Sequence, residues 1–181
     1  MQPAMKNGTT QGVYYDITDL AGIGRRLLIL LIDSIALVFL FLMLLLVTVF
    51  VDVDSIFEMY WIFCLGITYL YLAVLPVTSL GTVGYIATGV RLVNLHGQKA
   101  SIWQSTFRFG LVVFGPLNIL GDIIWLGGDP NRQSIRDKFA KTYVVRRNAV
   151  PTGSAPIRYK TYYMFNYNLM FAEVERPQIR T

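Results

Sequence analysis

The sequence predicts a membrane protein that is all-α apart from a small cytoplasmic β element. It has two full transmembrane helices and a third membrane segment that is broken or re-entrant. Three observations carry this expectation. Of 181 residues, 54% are hydrophobic and only 15% charged, where ordinary soluble domains carry about 25% charge. Two charge-poor apolar runs each exceed the roughly 20 residues that a helix needs to cross a hydrocarbon core of ~30 Å. A third apolar run is interrupted by Gly115-Pro116 and contains Asn118, Gly121 and Asp122. This composition argues against a soluble domain, a disordered tail and a coiled coil.

Residues 1–24 read as a cytoplasmic N-terminal segment. Leu27 to Val51 is apolar except for Asp33 and a few small polar residues, with Arg25-Arg26 just before it. The run is too long for a signal peptide and no small-residue cleavage site follows, so it reads as a retained first helix, 27–51. Val51 to Glu58 holds three acids and no base, which suits an outside connection. Met59 to Leu80 carries no charge and gives the second helix, 59–80, with Pro76 bending its last turn.

The third segment, about 106–127, is less simple. Ten of the sixteen Lys and Arg residues lie from Arg132 onward. A third full span would place them outside, against the positive-inside tendency. The conflict resolves if the segment turns at Gly115-Pro116 and returns to the same side, its broken backbone buried against protein or water. A plain third span is the alternative.

Between the second and third segments, Val90 to Leu95 partly alternates and reads as a strand, followed by a turn at His96-Gly97-Gln98. Thr142 to Arg146 is also strand-like, and the two can pair. Pro151, Gly153 and Pro156 form a linker. The region 148–181 is a Tyr-rich cytoplasmic or interfacial tail. In it, Tyr159, Tyr162, Tyr163 and Tyr167 beside Lys and Arg suit a membrane–water interface or a protein partner.

Three ordered stretches carry a resemblance. They are Arg26-Leu-Leu-Ile-Leu-Leu-Ile-Asp33; Ser79-Leu-Gly-Thr-Val-Gly84 followed by Gly89-Val-Arg-Leu-Val93 and His96-Gly97; and Gln133-Ser-Ile-Arg-Asp137-Lys-Phe-Ala-Lys-Thr-Tyr-Val-Val145. Together they resemble the RDD family of small bacterial integral membrane proteins, named for one Arg and two Asp. Arg26, Asp33 and Asp137 fall on those three positions. Tyr85 stands where members often have Lys or Met, and Ala140-Lys141 replaces a common Ala-Gly. The resemblance covers 25–147, an RDD-like membrane domain. It implies a protein of the bacterial cytoplasmic (inner) membrane, and the charge distribution puts both termini on the cytoplasmic side. Some members are linked to ion exchange or transport, which does not fix the function of this chain.

Asp33 lies seven residues past Arg26, about 10 Å along the helix axis and within the hydrocarbon. A carboxylate there is costly and rarely idle. Arg26 shares its face but is too far along for a direct pair. Arg91, Arg108 and Arg136 are candidate partners for Asp33, and Asp137 for Arg26. These charges form either a structural network or an ion site, to which membrane-embedded Asn118 and Asp122 could add ligands. Breaking a buried pair would cost ~3–5 kcal/mol.

The other features have plain readings. Cys64 is a buried small side chain, and His96 a solvated turn residue. There is no catalytic constellation, metal set or cofactor motif, and the basic tail reads as a cytoplasmic flank rather than a nucleic-acid surface. Two functions remain. One is a non-catalytic accessory subunit that packs against other membrane chains through its tail and helix faces. The other is an oligomeric cation or proton-coupled transporter using Asp33. Homo-oligomerisation stays open under both.

Overall fold

In a computed structural model the described residues are 10–50, 56–113, 117–164 and 167–177. The chain begins with strand β1 (Gln11–Tyr14) and a 3-10 turn at Ile17–Asp19, then enters helix α1 (Ile23–Phe50). Helix α2 (Ile56–Tyr69) continues through a π turn at Leu70–Val74 and a 3-10 turn at Leu75–Val77. Ile23–Val49 and Met59–Val77 are long and apolar enough to cross a membrane. Leu31, Ile35, Val38, Phe39, Leu42 and Leu46 of α1 are all exposed, as expected for side chains whose solvent is hydrocarbon.

The second apolar helix ends three residues before the expected Leu80. Pro76 has no N–H for the carbonyl one turn back, and its ring crowds that carbonyl. The ladder first widens, with Leu75 N–H donating to Leu70 O, and then tightens and stops at Val77.

Helix α3 (Val83–Thr88) leads into β2 (Val90–Asn94), and helices α4 (Ile102–Val113) and α5 (Leu117–Gly128) follow. Helix α6 (Ile135–Ala140) precedes β3 (Thr142–Arg146), β4 (Gly153–Met164) and β5 (Tyr167–Val174). The expected turning point Gly115-Pro116 lies outside the described residues.

The two segments read as strands do pair: β2 and β3 run antiparallel, Leu92 opposite Val144. Both faces of this ribbon are covered, which is why its sequence alternates only partly. Val93, Leu95, Tyr143 and Val145 enter one apolar cluster with Tyr15, Leu20, Ala172 and Val174. Val90, Leu92 and Val144 enter a second cluster, with Ala21, Tyr85 and Ala100.

The expectation of an all-α protein is corrected by a second sheet, of order β1-β4-β5. The expected linker at Pro151, Gly153 and Pro156 gives way, from Gly153 on, to strand β4. Arg158 to Met164 pairs with Tyr167 to Glu173 in a long antiparallel hairpin, and the N-terminal Gln11–Tyr14 adds to its edge. Tyr, Thr, Ile and Phe favour a pleated surface, but polar tips on both faces hide the alternation. Gly12 lets β1 cross closely between the sheets. A Cβ there would lie 2.5 Å from Val174 Cγ2 and 2.9 Å from Leu95 O.

The hairpin is held to the helices by a buried charge. The Lys138 side chain of α6 is fully buried. Its Nζ lies 2.6 Å from Asp129 Oδ1 and pairs with Glu173 Oε1 of β5. Tyr162 donates to the same Glu173 oxygen at 2.7 Å, and the Tyr162 ring lies 5.0 Å from the ammonium. Burial first, and the hydrogen bond to Glu173 second, push the Tyr162 phenol above its ordinary value, so it remains a donor at neutral pH. Trp125 and Phe139 pack edge-on against Phe171. Removing the cation leaves two buried carboxylates facing one another, at a cost of ~3–5 kcal/mol. Lys138→Met is therefore expected to lower the unfolding temperature in detergent by several degrees. It should also speed tryptic cleavage after Arg158 and Lys160. Equal cleavage rates in variant and parent would refute this account of the hairpin.

Candidate functional site

Charged side chains gather at the end of the apolar helices that carries Arg26 and Pro76, in two nodes. The first is Asp33, 5% exposed on α1. Its Oδ1 accepts from Tyr71 Oη at 2.8 Å and from Gly84 N–H at 2.7 Å. Its Oδ2 accepts from Thr82 Oγ1 at 2.9 Å. Local sequence explains how the loop is presented. Thr82 caps α3 by accepting from Tyr85 N–H, a favoured use of Thr at that position. Tyr71 accepts from Val83 N–H while donating to Asp33. Gly84 has to be glycine: a Cβ would stand 2.8 Å from the Asp33 carboxylate and from Ile29 O. Asp33 thus joins α1, the end of the second apolar helix and α3 through uncharged donors alone.

The second node is Asp137, fully buried on α6. Arg26 Nη1 lies 2.6 Å from its Oδ2, and Arg108 Nη1 pairs with its Oδ1. The same carboxylate closes a capping box with Ser134: Ser134 N–H donates to Asp137 Oδ2, and Asp137 N–H donates to Ser134 Oγ. Arg26 also donates to Ala21 O and Arg132 O, each at 3.0 Å. Arg108 donates to Thr142 Oγ1 at 3.0 Å. Beside this node, Arg136 pairs with buried Asp122 of α5 through Nε and its own backbone N–H.

Arg26, Asp137, Arg108, Arg136 and Asp122 are therefore brought together, and Asp33 lines a cavity with the three arginines. That cavity measures about 160 Å³. The expected pairing of Asp33 with Arg91, Arg108 or Arg136 is not what forms. Arg108 and Arg136 take Asp137 and Asp122 instead. Arg91 points elsewhere, donating to Ala149 O at 2.9 Å. Asn118 falls within α5, and its side chain lies outside the described part of the structure.

Among the tail residues, Tyr162 is taken up by Glu173 and Trp125. Tyr159, Tyr163 and Tyr167 are exposed, the last two at 71%. Cys64 is buried. His96 sits exposed in its turn, Nδ1 3.0 Å from Gln11 O. Among the described residues, no group of three or more His, Cys, Asp or Glu side chains could hold a metal ion.

Sequence reasoning missed Tyr71, Thr82 and Gly84 as the shell of Asp33, and the Lys138–Asp129–Glu173 cluster. A signal existed for two of them. Thr before an apolar turn announces a helix cap, and glycine in the loop beside it announces close backbone approach. Nothing local announces Tyr71 or Glu173.

The sharing of Asp137 sets an order of mutational cost. Arg26→Gln leaves Arg108 on the carboxylate. Asp137→Asn leaves two guanidiniums without their anion and weakens the half of the capping box that the carboxylate accepts. The first is expected to cost ~1–3 kcal/mol, as for a lost hydrogen bond to a charged group, and the second ~3–5 kcal/mol. Thermal unfolding of the two variants side by side checks this, and Asp137→Asn as the milder change would overturn it.

Among curated proteins and solved structures, none matches the chain. The RDD family model matches residues 20–141, which takes in Arg26, Asp33, Asp137 and, Thr142 apart, the side chains of both nodes. RDD proteins are membrane proteins, in keeping with the two apolar helices, and the chain belongs to the RDD family.

Proposed function

We propose that the protein is a non-catalytic accessory subunit of a larger assembly in the bacterial cytoplasmic membrane. The observation that carries this reading is the exposed aromatic surface of the tail hairpin. Tyr159, Tyr163, Tyr167 and Met170 are each more than 60% exposed. By register Tyr159 and Tyr163 share a face with Met170, which lies opposite Thr161. Exposed aromatic and Met side chains are the composition enriched at protein interfaces. The carboxylates Asp33, Asp122 and Asp137, by contrast, are engaged inside the chain, as expected of a rigid scaffold.

A mild-detergent pull-down of the tagged full chain tests it. Parent protein is expected to recover unlike membrane chains in stoichiometric amounts. A triple change of Tyr159, Tyr163 and Tyr167 to Ser, which leaves Tyr162 and the Lys138 cluster untouched, should lose them. Recovery of a homo-oligomer alone from both would sink the reading.

The transporter alternative draws on one fact: Asp33 lines the cavity. It requires Asp33→Asn to abolish cation flux in vesicles. Against it, both Asp33 oxygens are already engaged by protein donors.

In this reading α4 and α5 are the two arms of a re-entrant segment. Each has 12 residues, about 18 Å at ~1.5 Å per residue, too short to cross alone. Arg108 of α4 and Asp122 of α5 both meet α6, which brings the two arms to one side. Both termini then lie in the cytoplasm. Single cysteines in a Cys64→Ser background test this. A membrane-impermeant maleimide should label Ser55→Cys in intact cells and Thr152→Cys only after lysis. Labelling of Thr152→Cys in intact cells would replace the re-entrant arms with a third span.

A further inference from the structure

The cavity at the arginine cluster has an electrostatic character that the network around it does not use up. Three guanidinium side chains, Arg26, Arg108 and Arg136, line it. Arg26 and Arg108 have one carboxylate between them, Asp137. Arg136 spends Nε and its backbone N–H on Asp122, so its two terminal nitrogens carry no hydrogen bond to any described residue. The one carboxylate in the wall is Asp33, and it meets Tyr71, Thr82 and Gly84 rather than an arginine. The space is thus bordered by more guanidinium nitrogens than the neighbouring carboxylates engage. In surroundings of low dielectric a guanidinium N–H without an acceptor is costly, and an incoming oxyanion satisfies it.

Size and walls narrow the ligand. About 160 Å³ is below the ~300 Å³ at which drug-sized pockets begin, so a nucleotide does not fit, whereas one tetrahedral oxyanion does. Guanidinium groups match phosphate oxygens in geometry as well as charge. Ser105 and Tyr85 add polar side chains to the lining, and Leu30, itself exposed on the outer apolar surface of α1, forms part of the wall.

We propose that this cavity is a binding site for a phosphate-type oxyanion, held by Arg108 and Arg136 between α1, α4 and α6. The oxyanion comes either from solution or from an anionic lipid headgroup entering beside Leu30. The site is anion-selective, the opposite sign from a cation pathway through Asp33. It does not depend on whether the protein is an accessory subunit.

Thermal unfolding of the full chain in a non-ionic detergent, followed by tryptophan fluorescence, tests the site. One arm titrates inorganic phosphate against sodium chloride at equal ionic strength. The other titrates short-chain phosphatidylglycerol against phosphatidylcholine of the same chain length. Parent protein should show a saturable rise of several degrees in at least one arm. A rise with inorganic phosphate identifies a free anion, and a rise with phosphatidylglycerol alone identifies a headgroup. Arg136→Gln should weaken the apparent affinity at least tenfold. Val112→Trp, which fills the cavity without changing a charge, should abolish the response. If Arg136→Gln does not fold, Val112→Trp decides. A parent protein that responds no more to phosphate than to chloride, and no more to phosphatidylglycerol than to phosphatidylcholine, overturns the proposal. So does an undiminished response in Val112→Trp.

Discussion

One buried carboxylate held by two guanidinium groups joins the apolar helices to the sheets. Asp137 takes Arg26 from α1 on one oxygen and Arg108 from α4 on the other, and the same group caps α6. The next residue on that helix faces away by about 100°. Lys138 therefore meets Asp129 and Glu173 on a different side and fastens the tail hairpin. A helix of six residues would be marginal on its own. Here its two successive charges tie α1, α4, β5 and the residue after α5 to it, which is what makes it stable and what the rest of the packing depends on.

Asp33 and Asp137 are both buried acids, yet they are satisfied in opposite ways. Asp137 is neutralised by cations. Asp33 is solvated by a phenol, a hydroxyl and a backbone N–H. The difference follows from position. Asp137 lies where Arg26 at the start of α1 and Arg108 on α4 can reach it. Asp33 lies about 10 Å further along α1, among Tyr71, Thr82 and the backbone of α3. A buried carboxylate with three donors has its desolvation offset, and its lone pairs are largely spoken for. The guanidinium nitrogens that no carboxylate engages lie on the arginine side of the cavity, and the proposed anion site turns on that asymmetry.

The amino-acid sequence by itself determined the elements whose cause is local. The apolar runs make α1 and α2 helices in hydrocarbon because no other spanning structure satisfies the backbone there. Pro76 bends the end of the second, and Val90 to Leu95 and Thr142 to Arg146 read as strands. The seven-residue step from Arg26 to Asp33 ruled out their direct pairing. The tail was harder, because the residues that make it a strand pair, Tyr159 to Tyr163 and Leu169 to Glu173, present polar tips on both faces and so mask their alternation. Only the tertiary structure decided which charges meet. The Glu173 partner of Lys138 is 35 residues away, and the Tyr71 partner of Asp33 is 38 away. Such pairs form because folding removes the groups from water and each must then find whatever complementary atom the packing brings within reach. That requirement acts across space and leaves no period or spacing in the chain.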